Sequence, residues 1–342
     1  MPDLKVDVLA SGAVCLGTEV VCDGFSAERP YRVQTHIHDD HMGNFNRSKG
    51  SQNIILSPET YDLLVAEHNA DLSYRDNLHC IGRGDEYVLN SGSKLSLIPS
   101  GHMLGSCQVL LEQPDGLRIG YSGDFSWPID DVIKVDVLVI DSTYGSPRSI
   151  RRYTQAEAER CLLEVVCQRL RYGPVHVSAY RGTVERVLQV LDGRIEVPIL
   201  ASDRLIKEVE VYQTYGFATG VLKPLDSDVG QAAMKEHSYI RLYSKGDGFG
   251  NEQINGTSVT CSAYMVDPGH PLMIRSDRSY RVALSNHADF RETLAYVEGT
   301  GAKKVITDNT RNHGMELALA INNSLQGVHA EPSTNLYEPE WN

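Results

Sequence analysis

Apolar residues fall in short alternating or continuous blocks through the first 145 positions, and little of that stretch has helical spacing. Blocks at 94–98, 106–112, 117–122 and 136–141 are each bounded by Gly, Pro or Asp and predict strands. Arg32-Val33-Gln34-Thr35 reads as a strand running into a polar loop at His36. A helix is predicted over 58–68, with Ser57 as its N-cap and Pro58 at its first position. The pattern changes after residue 146. A basic linker, Ser146-Pro147-Arg148-Ser149-Ile150-Arg151-Arg152, precedes a long helix predicted over 154–171. Strand 175–178, helix 183–192, strand 197–201 and helix 203–215 follow, an alternation that implies a parallel sheet with helices on its faces. Residues 224–256 are polar and glycine-rich and predict loops. Gly246-x-Gly248-x-Gly250 is read as a flexible loop, because its third glycine comes one residue too early for a dinucleotide fingerprint. Strands at 258–263, 281–284 and 304–307 and helices at 289–298 and 314–324 complete the chain. The simplest account is an α/β protein whose first domain (1–149) is interrupted by an inserted α/β domain (150–275) and completed by 276–342.

Composition narrows the class. The 342 residues are 41% hydrophobic and 23% charged, ordinary values for a globular protein. No apolar run is long enough to span a membrane, and the first residues lack the basic-then-apolar pattern of a secretory signal. Seven cysteines are scattered without a C-x-x-C pair, which fits reduced thiols and a cytoplasmic protein. The net charge of −13 is not that of an obvious nucleic-acid binder, although local basic patches and bound metal ions can reverse it.

The strongest chemical signal is Thr35-His36-Ile37-His38-Asp39-Asp40-His41-Met42-Gly43. On an extended segment, residues i and i+2 point the same way, so His36 and His38 can grip one ion, and a tight turn can then aim Asp40 and His41 at a second. Imidazole and carboxylate suit zinc or a similar first-row metal. His102, in a glycine-containing loop between two predicted strands, and Asp124, just after a strand, are weak signals alone and complete a site together with the first motif.

This order, H-x-H-x-D-H, then a later His, then a strand-end Asp, resembles the metallo-β-lactamase superfamily. The resemblance implies an αββα four-layer sandwich in which His36, His38 and His102 hold one metal, Asp40 and His41 the other, with Asp124 as the bridge. Two cations would lower the pKa of a shared water toward neutrality and so favour hydrolysis. Three features point to the β-CASP nuclease branch, which includes Artemis-like DNA nucleases and RNA 3′-end-processing endonucleases. Asp141, in Asp141-Ser142-Thr143-Tyr144-Gly145 after an apolar strand, resembles the first β-CASP motif. The inserted domain starts just after it, as a β-CASP-like cap does. Ser285-Asn286-His287-Ala288-Asp289 resembles the second motif. By resemblance, Asp141 would orient His287, and His287 would protonate the leaving oxygen. One departure stands out. RNA-cleaving members carry a metal-binding histidine where this chain has Asn309, and His313-Gly314 lies four residues later. His313 or Asp308 could replace it, or the second metal could be weakly held.

The expectation is therefore a metal-dependent nuclease with two Zn2+ sites, Mn2+ or Mg2+ being possible substitutes. Its implied substrate is nucleic acid, with DNA slightly favoured, an exonuclease role in DNA repair in view, and RNA as the alternative. A small-molecule ester or thioester hydrolase of the same fold is a further alternative. Arg148, Arg151, Arg152 and Arg278 are the candidate phosphate contacts, since arginine forks suit phosphate.

Overall fold

The computed structural model describes residues 5–68, 72–244, 247, 255–263, 267–311 and 313–334. The glycine run at 246–250 lies outside the described residues, apart from Asp247. The chain divides into two compact units, Met1–Ile150 with His287–Asn342, and Arg151–Asn286. Among the described residues, no helix is long and apolar enough to cross a membrane.

The first unit contains two sheets. The six-stranded sheet runs, in spatial order, Asp7–Val8, Val14–Leu16, Val20–Cys22, Tyr31–Val33, Asn53–Leu56 and Leu78–Cys80. The seven-stranded sheet runs His329–Pro332, Lys304–Thr307, Val137–Ile140, Arg118–Tyr121, Cys107–Glu112, Lys94–Pro99 and Tyr87–Val88. Period-two alternation gives each strand an apolar face. Val14, Leu16, Val33 and Ile55 of the first sheet share one core with Leu95, Val109, Tyr121 and Val139 of the second. The second sheet is buried on its other face too. Leu138, Ile140 and Val305 pack there with Tyr296 and Val297 of helix Phe290–Thr300 and with Leu317 and Ile321 of helix Gly314–Ser324. Double burial explains why Val137–Ile140 is an unbroken apolar run. Helix Pro58–His68 starts where Ser57 Oγ accepts from Thr60 N at 3.1 Å, and it buries Leu63 and Leu64.

Strands Arg118–Tyr121, Val137–Ile140 and Lys304–Thr307 are mutually parallel. Their carboxyl ends therefore lie at one edge, which places Asp124, Asp141 and Asp308 just beyond that edge, the usual location of ligand chemistry in such sheets.

The second unit is a seven-stranded sheet in the order Leu222–Pro224, Ile199–Ala201, Ile240–Tyr243, Val175–Ser178, Thr257–Cys261, Ser279–Val282 and Leu272–Ser276, parallel except for the last pair. Val175, Val177, Ile240, Leu242 and Val259 form a core with Leu162 and Val166 of helix Gln155–Leu170, Val187 and Leu188 of helix Thr183–Leu191, and Leu205 and Val209 of helix Asp203–Thr214. Two expectations change here. The inserted unit runs to Asn286 and not to 275, because Ser279–Val282 pairs with Thr257–Cys261 and buries Tyr280 and Val282 in this core. The stretch 224–256 is not all loop. Ser227 caps a helix at Asp228–Glu236 by accepting from Gly230 N, and Ile240–Tyr243 is a strand inside the sheet.

Candidate metal centre

The site grows out of the end of strand Tyr31–Val33. Beyond it the chain stays extended as far as His38 (φ −66°, ψ 144°) and then tightens into the 3-10 turn Asp39–His41. That geometry sets the His36 and His38 rings 4.6 Å apart, centroid to centroid, and the His36 and His41 rings 4.1 Å apart. His102 arrives from the loop after strand Lys94–Pro99. Its backbone N–H donates to Ser106 Oγ at 3.1 Å, and its Nε2 lies 3.1 Å from His38 Nδ1. Ser100 Oγ donates to Asp124 O at 2.7 Å, tying this loop to the one bearing Asp124. Gly123 precedes Asp124 at φ +56°, and a Cβ there would meet Cys107 O at 2.5 Å, so the close strand approach requires glycine.

Asp124 lies centrally. Its Oδ2 is 3.7 Å from His36 Nε2, 3.6 Å from His102 Nε2 and 3.9 Å from His287 Nε2, and its Oδ1 is 3.3 Å from His41 Nε2. The donor atoms of His36, His38, His102 and Asp124 all lie within 4.8 Å of one another, and all four residues are buried. Those of Asp124, Asp141 and His287 form a second such group. Asp40 is half-exposed, with Oδ2 3.7 Å from His41 Nε2. His287 also packs against the rings of His102 (4.4 Å) and Tyr144 (5.4 Å), while Asp141 Oδ1 accepts from Thr143 N at 2.9 Å.

The protonation states suit a cation. Burial, reinforced by His41 and His38, holds His36 well below the usual imidazole range, and burial with His102 does the same to His38. Burial opposes ionisation of Asp124, but His41, His287 and His102 outweigh it and keep the carboxyl well below its ordinary range. Neutral imidazoles around an ionised carboxylate are the donor set that a divalent first-row metal takes. His36 Nε2 is fully buried without a hydrogen-bond partner, the orphaned lone pair that a metal would satisfy.

The remaining candidate residues lie elsewhere. Asp308 Oδ1 accepts from Thr310 N at 2.8 Å, and His313 Nδ1 faces Glu316 at 3.6 Å. Neither belongs to any of the clustered ligand groups among the described residues. Arg148 is exposed in the first unit, whereas Arg151, Arg152 and Arg278 belong to the second, Arg152 and Arg278 exposed and Arg151 partly so.

Asp23 was not among the expected residues. It stands at φ +56° after strand Val20–Cys22. Its Oδ2 accepts from Thr35 Oγ1 at 2.6 Å and lies 2.8 Å from His41 Nδ1, and its Oδ1 accepts from Thr35 N at 2.8 Å. A proton held at Nδ1 would leave Nε2, 3.3 Å from Asp124 Oδ1, as the atom on the ligand side. A strand-end Asp followed by Gly24 was the available signal, and it is too common to stand out alone.

No family model matches the chain. A solved structure described as a protein of unknown function from Enterococcus faecalis V583 superposes with a TM-score of 0.57 over 88% of this chain and 78% of its own, at 14% identity, a likeness of fold alone. The RNase J-like protein of Methanocaldococcus jannaschii is 28% identical over 210 residues, 54% of this chain and 49% of that protein. Endoribonuclease YSH1 of Gibberella zeae is 26% identical over 249 residues, 64% of this chain and 29% of that protein. The names of these relatives point to the β-CASP nuclease branch of the metallo-β-lactamase superfamily. A probable DNA ligase of Opitutus terrae also matches, at 22% identity over 320 residues, 87% of this chain and 30% of that protein. The chain thus spans about half or less of the length of each of these three relatives. At the β-CASP position where a metal-binding histidine was expected, Asn309 instead opens the 3-10 turn Asn309–Arg311.

Proposed function

We propose that this chain is a metal-dependent nuclease of the β-CASP branch that hydrolyses phosphodiester bonds, with RNA as the favoured substrate. The observation carrying the proposal is the convergence of His36, His38, His102 and Asp124, which come from three separate loops, on one buried point with a neutral, unpartnered imidazole nitrogen. In this reading the first unit is the αββα four-layer sandwich and the second is the β-CASP cap. His36, His38, His102 and Asp124 hold one Zn2+. Asp40 and His41 would hold a second ion more loosely, because Asn309 stands where RNA-cleaving members carry a metal-binding histidine. Bound metal would polarise the phosphoryl oxygens and make water acidic near neutral pH.

The protein's own groups do the rest. Asp23 fixes the orientation of His41. Asp124 lies within reach of both ligand sets and, kept ionised, ties them together. His287, grouped with Asp124 and Asp141, is placed to deliver a proton to the leaving oxygen from Nε2, with Asp141 orienting its ring. Arg148, Arg151, Arg152 and Arg278 are the proposed phosphate contacts.

The order of substrates reverses the lean toward DNA drawn from Asn309. Two of the relatives carry ribonuclease names, and this supports RNA. The match to a probable DNA ligase over most of the chain keeps DNA as the second reading. The relatives' names give no support to a small-molecule esterase. The test is cleavage of end-labelled single- and double-stranded RNA and DNA with added zinc or manganese. Cleavage should be strongest on RNA and should fall about 100-fold or more in His287→Ala. Turnover of thioesters with no cleavage of any nucleic acid would refute the reading, and DNA cleavage exceeding RNA would restore the second one.

A further inference from the structure

We propose that Arg32 is a positioning residue that sets the metal-ligand turn through its backbone. The inference rests on the metal reading above and goes beyond it to a residue that touches neither metal nor substrate.

Arg32 lies in strand Tyr31–Val33 between Tyr31 and Val33, both of which enter the shared apolar core. Alternation turns Arg32 to the opposite face, where it is nonetheless 0% exposed. A buried guanidinium is costly unless every donor finds an acceptor. No carboxylate pairs with it among the described residues, and all five of its N–H groups are used. Nε and Nη2 donate to Gln34 Oε1 at 3.1 and 2.7 Å, and Nη2 also donates to His41 O at 3.0 Å. Nη1 donates to Gly43 O at 2.8 Å and to Ser48 Oγ at 3.0 Å. The Phe45 ring stacks 5.0 Å from the guanidinium carbon. Gln34 carries the strap to the other end of the turn, its amide donating to His36 O at 2.6 Å and His41 O at 3.1 Å.

The strap therefore grips the backbone carbonyls of His36, His41 and Gly43. A residue that merely filled space at a fully buried position would ordinarily be apolar. The cation instead fixes the turn from the side opposite the ligands, as outer partners do for metal sites generally. Its effect is uneven. His102 and Asp124 come from other loops with their own serine ties, whereas Asp40 and His41 sit on the strapped turn. Slackening the strap should loosen most the ion held by Asp40 and His41, and much less the one held by His36, His38, His102 and Asp124, two of whose donors come from outside the strapped segment.

The experiment is a calorimetric zinc titration of chelator-stripped full-length wild type, Arg32→Met and Arg32→Lys, beside the melting temperature of each metal-free protein. Wild type should take up a tight and a weaker ion. Arg32→Met should weaken the second ion about 10- to 100-fold and leave the first within a few fold. Arg32→Lys, which keeps the charge but cannot fill five bonds, should recover only part of the loss, and it decides the matter if Arg32→Met does not fold. Variants with wild-type affinity for both ions, or with both ions weakened equally in step with a lower melting temperature, would overturn the assignment. Wild type that takes up no zinc would overturn the metal reading itself, and the inference with it.

Discussion

At the scale of single residues, the site is organised by what each polar atom is left free to do. Asp23 occupies His41 Nδ1, Thr35 Oγ1 faces His36 Nδ1 at 3.0 Å, and the Nε2 atoms of both rings turn toward Asp124. Burial of His36 in its neutral form has a measurable consequence in the metal-free protein. Its folded pKa is depressed, so the unfolded chain takes up a proton below about pH 6.5 that the folded chain refuses. The His36 contribution is complete above that pH and is lost as pH falls, by at most about 1.4 kcal/mol per pH unit. Glu185 works in the opposite sense, since burial raises its carboxyl and its contribution is lost as pH rises, so the comparison must isolate His36. Chelator-treated wild type should lose stability relative to His36→Asn between pH 7 and 5.5 in denaturant melts; a constant difference would show that His36 is not held neutral. The motif from His36 to His41 was legible because spacing alone brings its side chains together. Asp23 and Arg32 were not. Asp23 acts on a ring 18 residues later across a sheet, and Arg32 had the look of an ordinary polar position in an alternating strand.

At the scale of elements, the start of helix Phe290–Thr300 bears on where the proposed proton donor His287 sits. Asp289 Oδ1 accepts from Arg291 N at 2.9 Å and Glu292 N at 3.0 Å, while Glu292 Oε2 accepts from Asp289 N at 2.7 Å, a complete capping box. Just before it, Ala288 N donates to Phe125 O at 2.8 Å, which holds the chain beside the Asp124 loop and fixes the start of the segment that bears His287. Asp289→Ala should lower stability by about 1 kcal/mol in thermal melts and should also reduce cleavage at temperatures where the protein is fully folded. Unchanged activity would mean that the cap serves the helix alone. The helix was legible from its cap and apolar spacing. The helix Asp228–Glu236 was not, because Gly230 and a mostly polar face gave it the composition of a loop until Ser227 was seen to cap it. The end of the insertion was misplaced for a related reason: the strand Leu272–Ser276 is an exposed edge with no apolar alternation to mark it.

At the scale of the whole chain, a net charge of −13 stands against a polyanionic substrate, and the case for phosphodiester chemistry therefore depends on cations concentrated at one point. Every proposed metal ligand, from His36 to Asp124, and the proposed proton donor His287 belong to the first compact unit, so the ligands come from the segment before the insertion and the acid from the segment after it, within one body. The most direct test is the metal content, by mass spectrometry, of purified wild type and Asp124→Asn after dialysis against excess zinc. The account predicts at least one zinc per wild-type chain and a large loss in the variant, whose amide cannot supply the shared negative charge. A wild-type chain free of zinc, or a variant that retains it in full, would contradict the account.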